Sequence, residues 1–320
     1  MASRLIVGCG YVGVRVAKRW LQQGDTVIAI TRSQARSDEL SQYGIQPIVW
    51  DWLVGGNPRL NQSLRTLSET EGTSLATILV SVSHAVQPNL PPEETHTRGL
   101  NHLAGLLESM GWFSGRELAH TKWIYLSTTG VFGPSSFSWV DEDSPVCPER
   151  PGSIAALAGE RWMESHVFND VRVTLRPAGI YGPDRVPSWQ SIRDNTPLPF
   201  DPESYLNLIH ADDLAATVVA VSTVKMQHSL YCVSDGEPVR RKEYYEFISK
   251  LGNWPDPVFA TRDSGATGIS SSRSGSKRVR SHRISTELAI PLMFPSYREG
   301  LKSLLDEIPS TQQTFQQFHK

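Results

Sequence analysis

The chain has 320 residues, 39% hydrophobic and 20% charged, with a formal net charge of −2 and a pI near 6.5. That balance supports a packed core and excludes a disordered chain. It also excludes the basic field expected of a protein that binds nucleic acid or an anionic membrane. Cys9, Cys147 and Cys232 are too few and too scattered for a disulfide framework or a zinc site, and suit a reducing compartment. Glycines interrupt the apolar run Leu5-Ile6-Val7 before it can form a signal h-region. No stretch approaches the roughly 18 apolar residues of a membrane helix. The expectation is a soluble, cytoplasmic protein with neither a membrane nor a nucleic-acid partner.

In chain order, short β-branched runs alternate with helical patterns over the first 130 residues, which predicts a parallel sheet covered by helices. Strands are expected at 4–7, 26–30, 47–50, 77–82 and 122–127, and again at 171–176 and 229–233. Helices are expected at 13–23, 38–42, 61–67, 97–109 and 212–222. Asp212 or Asp213 starts the last of these, where a carboxylate favours the helix dipole. Helices at 244–251 and 297–305 belong to a smaller C-terminal lobe. Between them, residues 263–276 are rich in serine and glycine and lead into a basic patch: Arg273, Lys277, Arg278, Arg280, His282 and Arg283. That patch is either a solvated loop or a phosphate contact on the substrate side.

Gly8-Cys9-Gly10-Tyr11-Val12-Gly13 closes the first strand and opens the first helix. The first glycine permits a tight turn, the second a close approach to a pyrophosphate, the third close packing of helix on sheet. The helix dipole and free amides then face the phosphates. The fold class is therefore α/β, a Rossmann-type doubly wound parallel sheet over 1–185 with a smaller substrate lobe over 186–320. Part of 205–235 is expected to return to the sheet. The second strand ends Ile30-Thr31-Arg32-Ser33 and lacks the acid that accepts from the ribose 2′-hydroxyl in NAD enzymes. Arg32, with Ser33 and Arg36 as helpers, offers a planar cation to a 2′-phosphate instead. NADP is thus the expected cofactor ahead of NAD, a surface arginine being the plainer reading of Arg32.

Ser127-Thr128-Thr129-Gly130-Val131-Phe132-Gly133 is similar to the Ser-Ser-x-x-Val-Tyr-Gly segment of extended short-chain dehydrogenase/reductases, which include the NAD-dependent epimerase/dehydratase family. Arg176-Pro177-Ala178-Gly179-Ile180-Tyr181-Gly182-Pro183 resembles that family's arginine-to-Tyr-Gly-Pro segment. Asn207-Leu208-Ile209-His210-Ala211-Asp212-Asp213-Leu214-Ala215 resembles its His-Asp segment before a helix. With the glycine loop, these motifs span residues 4 to about 235 in the family's order. The last third resembles the family more loosely, through Lys277-Arg278-Val279 and Pro295-Ser296-Tyr297-Arg298-Glu299-Gly300-Leu301. The resemblance implies a dinucleotide across the C-terminal edge of the sheet and a small-molecule substrate beneath the lobe, and it leaves a homodimer open. It implies Asp51 and Trp52 at the adenine, a turn or cap being the alternative for Asp51. It also implies Ser81, Val82 and Ser83 near the ribose and nicotinamide.

Family enzymes join a Ser or Thr after the fifth strand to Tyr-x-x-x-Lys on the next helix. Spacing of four puts both side chains on one face, where the ammonium lowers the phenol pKa. Thr128 matches the hydroxyl, but setting Glu164 on the family's acidic position leaves Ala156 at the tyrosine and Glu160 at the lysine. The imagined substitutes are Glu160 or Arg161 facing the cleft, and Tyr181 or His84 approaching from loops. A salt bridge is the structural alternative for Glu160 and packing for Tyr181. The candidate catalytic residues are therefore Thr128, Glu160 and Tyr181. His84, His96 and His102 lack metal-ligand spacing, and His210 is expected to fix the loop before its helix. The expected function is an NADP(H)-dependent oxidoreductase, epimerase or dehydratase for a small polar substrate such as a nucleotide sugar. The alternative is a dinucleotide-binding sensor or scaffold without turnover.

Overall fold

The structure, a computed structural model, describes residues 2–56, 75–83, 89–109, 121–135, 137–260 and 276–304. Its strands are β1 (Ser3–Val7), β2 (Thr26–Thr31), β3 (Gln46–Val49), β4 (Leu75–Val80), β5 (Lys122–Leu126), β6 (Trp139–Val140) and β7 (Arg172–Pro177). They continue as β8 (Gly179–Tyr181), β9 (Tyr205–Leu206), β10 (Leu208–His210), β11 (Leu230–Val233), β12 (Val239–Arg240) and β13 (Arg278–Val279). The helices are α1 (Tyr11–Gln22), α2 (Gln34–Gln42), α3 (Pro92–Ser109), α4 (Pro151–His166) and α5 (Trp189–Arg193). They are followed by α6 (Ala211–Thr223), α7 (Arg241–Gly252), α8 (His282–Leu288) and α9 (Tyr297–Ser303).

Seven strands form one sheet in the order β11-β7-β5-β4-β1-β2-β3, and every neighbouring pair is parallel. Both faces are covered, so the central strands read as continuous apolar runs: Leu5, Ile6, Ile78, Leu79 and Val80 are fully buried. Val16 and Trp20 of α1 pack with Leu214 and Val218 of α6 on one face. Leu100, Leu103 and Leu107 of α3 pack with Trp162 and Met163 of α4 on the other. Both α6 and β11 return to the sheet from within the C-terminal part, while Tyr181, Leu198, Tyr244, Tyr245, Tyr297 and Leu301 form a separate core for the lobe.

Two helices start four or five residues earlier than their apolar pattern indicates, each for a capping reason. Ser33 Oγ accepts from Arg36 N at 3.3 Å and begins α2 at Gln34 rather than at 38. Pro92 opens α3 with Glu93 and Glu94 in the first turn, where proline and carboxylates are both tolerated best. The helix expected at 61–67 lies outside the described residues. Among the described residues no helix is long and apolar enough to cross a membrane.

Candidate active site

The sheet order reverses between β1 and β4, and ligands of open α/β sheets bind at such a switch point, outside the carboxyl ends of the strands. Gly8 sits there at φ +84°, and a Cβ on it would lie 2.8 Å from Ser81 O and from Val82 Cγ2. Only glycine fits. A Cβ on Gly13 would come within 3.1 Å of Gly8 O, so this residue sets how closely α1 packs on the loop. Gly10 differs from both: a Cβ there would meet nothing within 4 Å. No side chain caps α1, so its first amides open onto that space. A backbone cradle at a helix N-terminus, empty where a Cβ would project, fits a pyrophosphate in shape and in charge.

A cleft of about 710 Å³ runs from Gly10, Tyr11 and Val12 past Ser81 and Val82 to Thr128, and on to the lobe, a volume suited to small-molecule ligands. Tyr11 bridges its two sides, with its hydroxyl donating to Pro183 O at 2.7 Å and the Arg15 guanidinium 4.0 Å above its ring. Thr128 caps the short turn Thr129–Phe132, its hydroxyl oxygen accepting from Gly130 N at 3.0 Å. The threonine O–H can still donate to a ligand. Ser153, on the first turn of α4, lines the same wall; a Cβ on Gly130 would meet its hydroxyl at 2.4 Å.

Further along α4, Ala156 lines the cleft, but Glu160 lies beneath it at 3% exposure. Arg176 donates to Glu160 twice, from Nε at 3.0 Å and from Nη2 at 2.7 Å, and the Ser127 hydroxyl donates to the same carboxylate. This ties β7 to the end of β5 and to α4.

On the lobe side the lining turns basic, with Arg150, Arg185, Arg241 and Lys277. Burial and the positive charge of Arg150 bring the Lys277 amine down to about 8. Burial also lowers the Arg241 guanidinium, with Arg150 adding to the effect. Glu149 is the single carboxylate among the lining residues.

The sequence matches the NAD dependent epimerase/dehydratase family over residues 5–228, more than half of the chain. The chain belongs to that family. Solved structures support the same fold. A functionally unknown conserved protein from Silicibacter pomeroyi DSS is 24% identical, with 96% of this chain and 99% of that one covered and a TM-score of 0.72. The enzyme WbmG from Bordetella bronchiseptica, in complex with NAD, is 18% identical over 95% of this chain and 93% of that one, with a TM-score of 0.71. The dTDP-glucose 4,6-dehydratase of Bacillus anthracis str. Ames, in complex with NAD, is 14% identical over 96% of each chain, with a TM-score of 0.70. No curated protein matches the sequence.

Within this epimerase/dehydratase frame the structure gathers some of the expected residues and withdraws others. Gly10, Tyr11, Val12, Ser81, Val82 and Thr128 share the cleft. Arg32 and Ser33 follow the end of β2, whose Ile30 carbonyl accepts from Gly8 N at 3.1 Å. Arg36 is held on the loop by Cys9 O at 3.0 Å and by Glu39, which removes it as a helper for a 2′-phosphate. The Trp52 indole is not available to an adenine: it is 4% exposed and packs directly under Gly99 of α3. Asp51 takes the turn role, its Oδ1 accepting from Leu53 N at 2.9 Å.

Two catalytic candidates are corrected as well. Glu160 is a buried salt-bridge partner rather than a group facing the cleft, and Arg161 is exposed. Tyr181 is fully buried in the lobe core, its hydroxyl 3.4 Å from Ser296 O, and burial pushes its phenol up, away from proton exchange. His84 lies outside the described residues. His210 caps α6 by accepting from Asp212 N on Nδ1 at 3.2 Å, and burial lowers its pKa, in keeping with a neutral ring. The cleft residues not foreseen are Arg150, Ser153, Arg185 and Arg241. They come from chain segments that periodicity marks only as helix starts and loops; Lys277 alone was signalled, through the basic patch.

Proposed function

We propose that this family member is an NADP(H)-dependent oxidoreductase, epimerase or dehydratase acting on a small anionic substrate of the nucleotide-sugar kind. The observation that carries this reading is the sharing of one cleft by the Gly10 cradle, the Thr128 hydroxyl and the lobe cations. Gly8, Gly10 and Gly13 with the first turn of α1 would hold the pyrophosphate, and Ser81 and Val82 the adjoining ribose. When bound, the dinucleotide supplies or accepts a hydride at the nicotinamide. Thr128 donates its O–H to the substrate oxygen at the reacting carbon, since its own oxygen is already engaged by Gly130 N. The cations of the lobe wall hold the anionic part of the substrate, which fixes its orientation before reaction. NADP(H) is favoured because Arg32 is exposed at the end of β2, and the nearest following acid, Asp38, takes a hydrogen bond from Gln34 at 2.8 Å. The solved WbmG and dTDP-glucose 4,6-dehydratase are in complex with NAD, so this preference rests on Arg32 of this chain.

A second reading, a dinucleotide sensor without turnover, is favoured by one observation: Ala156 faces the cleft and Glu160 is locked to Arg176, so the family's proton carriers are both replaced. The two readings separate on Thr128→Ala. As an enzyme, the protein should lose about tenfold in kcat, the worth of one hydrogen bond made to the reacting oxygen, with dinucleotide affinity unchanged. Absorbance of the reduced cofactor across a nucleotide-sugar panel measures the first, and fluorescence titration the second. Turnover indifferent to Thr128 removes it from the site; tight binding without any turnover selects the sensor.

A further inference from the structure

Serines in the helices of this chain commonly turn their hydroxyls back on the backbone. Ser41, Ser109, Ser165 and Ser222 each donate to the carbonyl three or four residues earlier, at 3.1, 2.7, 2.9 and 2.6 Å. Such a bond satisfies a hydroxyl that has nothing else to hold. Ser153, in the first turn of α4, departs from this habit. The carbonyl three residues before it, Arg150 O, already accepts from the amides of Ser153 and Ile154, each at 2.9 Å, which fills both of its lone pairs. Ser153 is only 7% exposed, yet it lines the cleft, and no described residue bonds to its hydroxyl.

Two hydroxyls border one corner of the cleft. The point where a Cβ of Gly130 would stand has Ser153 Oγ as its nearest neighbour and Thr128 Oγ1 at 3.3 Å. Glycine at 130 therefore leaves the space between them open. The Thr128 oxygen accepts from Gly130 N, so its O–H remains to donate. The other hydroxyls at this end of β5 are committed, Ser127 to the Glu160 carboxylate and Tyr125 to Ala156 O. Ala156 follows Ser153 by three residues, which puts both on one face of α4, and both line the cleft. The alanine methyl offers no donor there; Ser153, one turn earlier, does.

We propose that Ser153 is a second catalytic hydroxyl, whose O–H donates with that of Thr128 to the reacting oxygen of the substrate. In the direction of reduction, the hydride's electron pair forms the new C–H bond and the carbonyl π pair moves onto oxygen. The two donors bind that oxygen most strongly as its charge develops, which lowers the barrier. Neither hydroxyl gives up its proton; the oxygen takes one from water, and the dinucleotide is oxidised by two electrons. Paired hydrogen bonding thus stands in for the acid that Ala156 cannot be. The inference rests on the enzyme reading above and adds a residue to it.

The test uses the full chain with two pairs of reactants: NADPH with para-nitrobenzaldehyde, a carbonyl that needs little recognition, and NADP+ with UDP-glucose. Ser153→Ala should lose about tenfold or more in kcat with whichever pair turns over, the worth of one hydrogen bond to an oxygen that gains charge. Its affinity for NADPH, read by fluorescence titration, should equal that of the wild type. The double variant with Thr128→Ala should lose at least about 100-fold, because neither hydroxyl is left to take over. A purely structural serine would behave differently in a thermal melt. Here the transition should stay level or rise, since alanine favours a helix and no bond within the protein is lost. A kcat indifferent to Ser153, a weakened affinity for NADPH or a lowered thermal transition each overturns this inference and leaves the enzyme reading standing. A wild type that turns over neither pair removes both.

Discussion

The layer just beneath the cleft and the wall that faces it use the same residue types in opposite ways. Beneath, they are enclosed: Gly8 is shut against Ser81 and Val82, and Glu160 is saturated by Arg176 and Ser127. On the wall they are open: Gly10 has nothing within 4 Å of its Cβ direction, and the Lys277 amine has a backbone carbonyl where Arg176 has a carboxylate. Enclosed positions hold the strand ends in register. Open ones have unmet capacity, steric or electrostatic, which a ligand can meet. Residue type does not distinguish the two layers; the neighbours do.

The largest test of this contrast is in the enclosed layer. Glu160→Ala leaves the Arg176 guanidinium buried at 4% exposure without its counter-ion, which should cost about 3–5 kcal/mol of folding free energy. That is a large part of a typical domain's stability. Urea denaturation followed by circular dichroism reads it directly. The double variant Glu160→Met with Arg176→Leu should recover most of the loss, because no unpaired charge remains. A single variant as stable as the wild type would show that the pair is not what closes this layer.

The glycines come next and separate the layers within one loop. Gly8→Ala forces a side chain onto φ +84° and against Ser81 O, so it should lower stability by about 1–2 kcal/mol or more. Gly10→Val should leave the thermal transition nearly unchanged, since the protein itself leaves room for the side chain. It should nevertheless weaken dinucleotide binding by about 100-fold or more, the equivalent of two charge-assisted hydrogen bonds to phosphate. Fluorescence titration with the reduced cofactor measures this. Undiminished binding in a folded Gly10→Val protein would take the pyrophosphate away from this loop.

How much of this was legible in the sequence follows the same division. The sheet strands could be read because they are short apolar runs, all but the edge strand β3 mostly buried on both faces, and the glycine loop because its spacing lies between a strand and a helix. In α4, Ala156 lines the cleft as expected, but Glu160, expected on the same face, is buried against Arg176. What could not be read was which side chains close on each other across distant segments. Glu160 and Arg176 are 16 residues apart, and nothing in the local pattern says that they meet. Tyr181 stands in a motif that reads as a loop, yet the lobe packs Gly300 so closely against it that a Cβ there would lie 2.0 Å from the Tyr181 hydroxyl. Trp52 follows a strand as an adenine contact would, but Gly99 lets α3 settle onto its ring. Arg241 and Lys277 converge only through the lobe's tertiary fold.

The smallest expected effect concerns Arg32, an exposed position just after β2. It is exposed at the end of β2, just before the capping Ser33, and no acid occupies the place that would accept from a ribose 2′-hydroxyl. A planar guanidinium there can meet a 2′-phosphate with two parallel hydrogen bonds, whereas it gains little from a hydroxyl. NADPH should therefore bind more tightly than NADH in the wild type. Arg32→Ala should narrow that gap by about 1.5–3 kcal/mol, roughly 10- to 100-fold, almost entirely through weaker NADPH binding. The loss should shrink as salt is raised, because an exposed ion pair is screened by mobile ions. Thermal stability should stay unchanged, since Arg32 is exposed. Parallel fluorescence titrations of both cofactors, in wild type and variant and at two ionic strengths, decide it. Equal wild-type affinities, or a preference for NADH, would assign Arg32 to the solvated surface and overturn the NADP(H) preference.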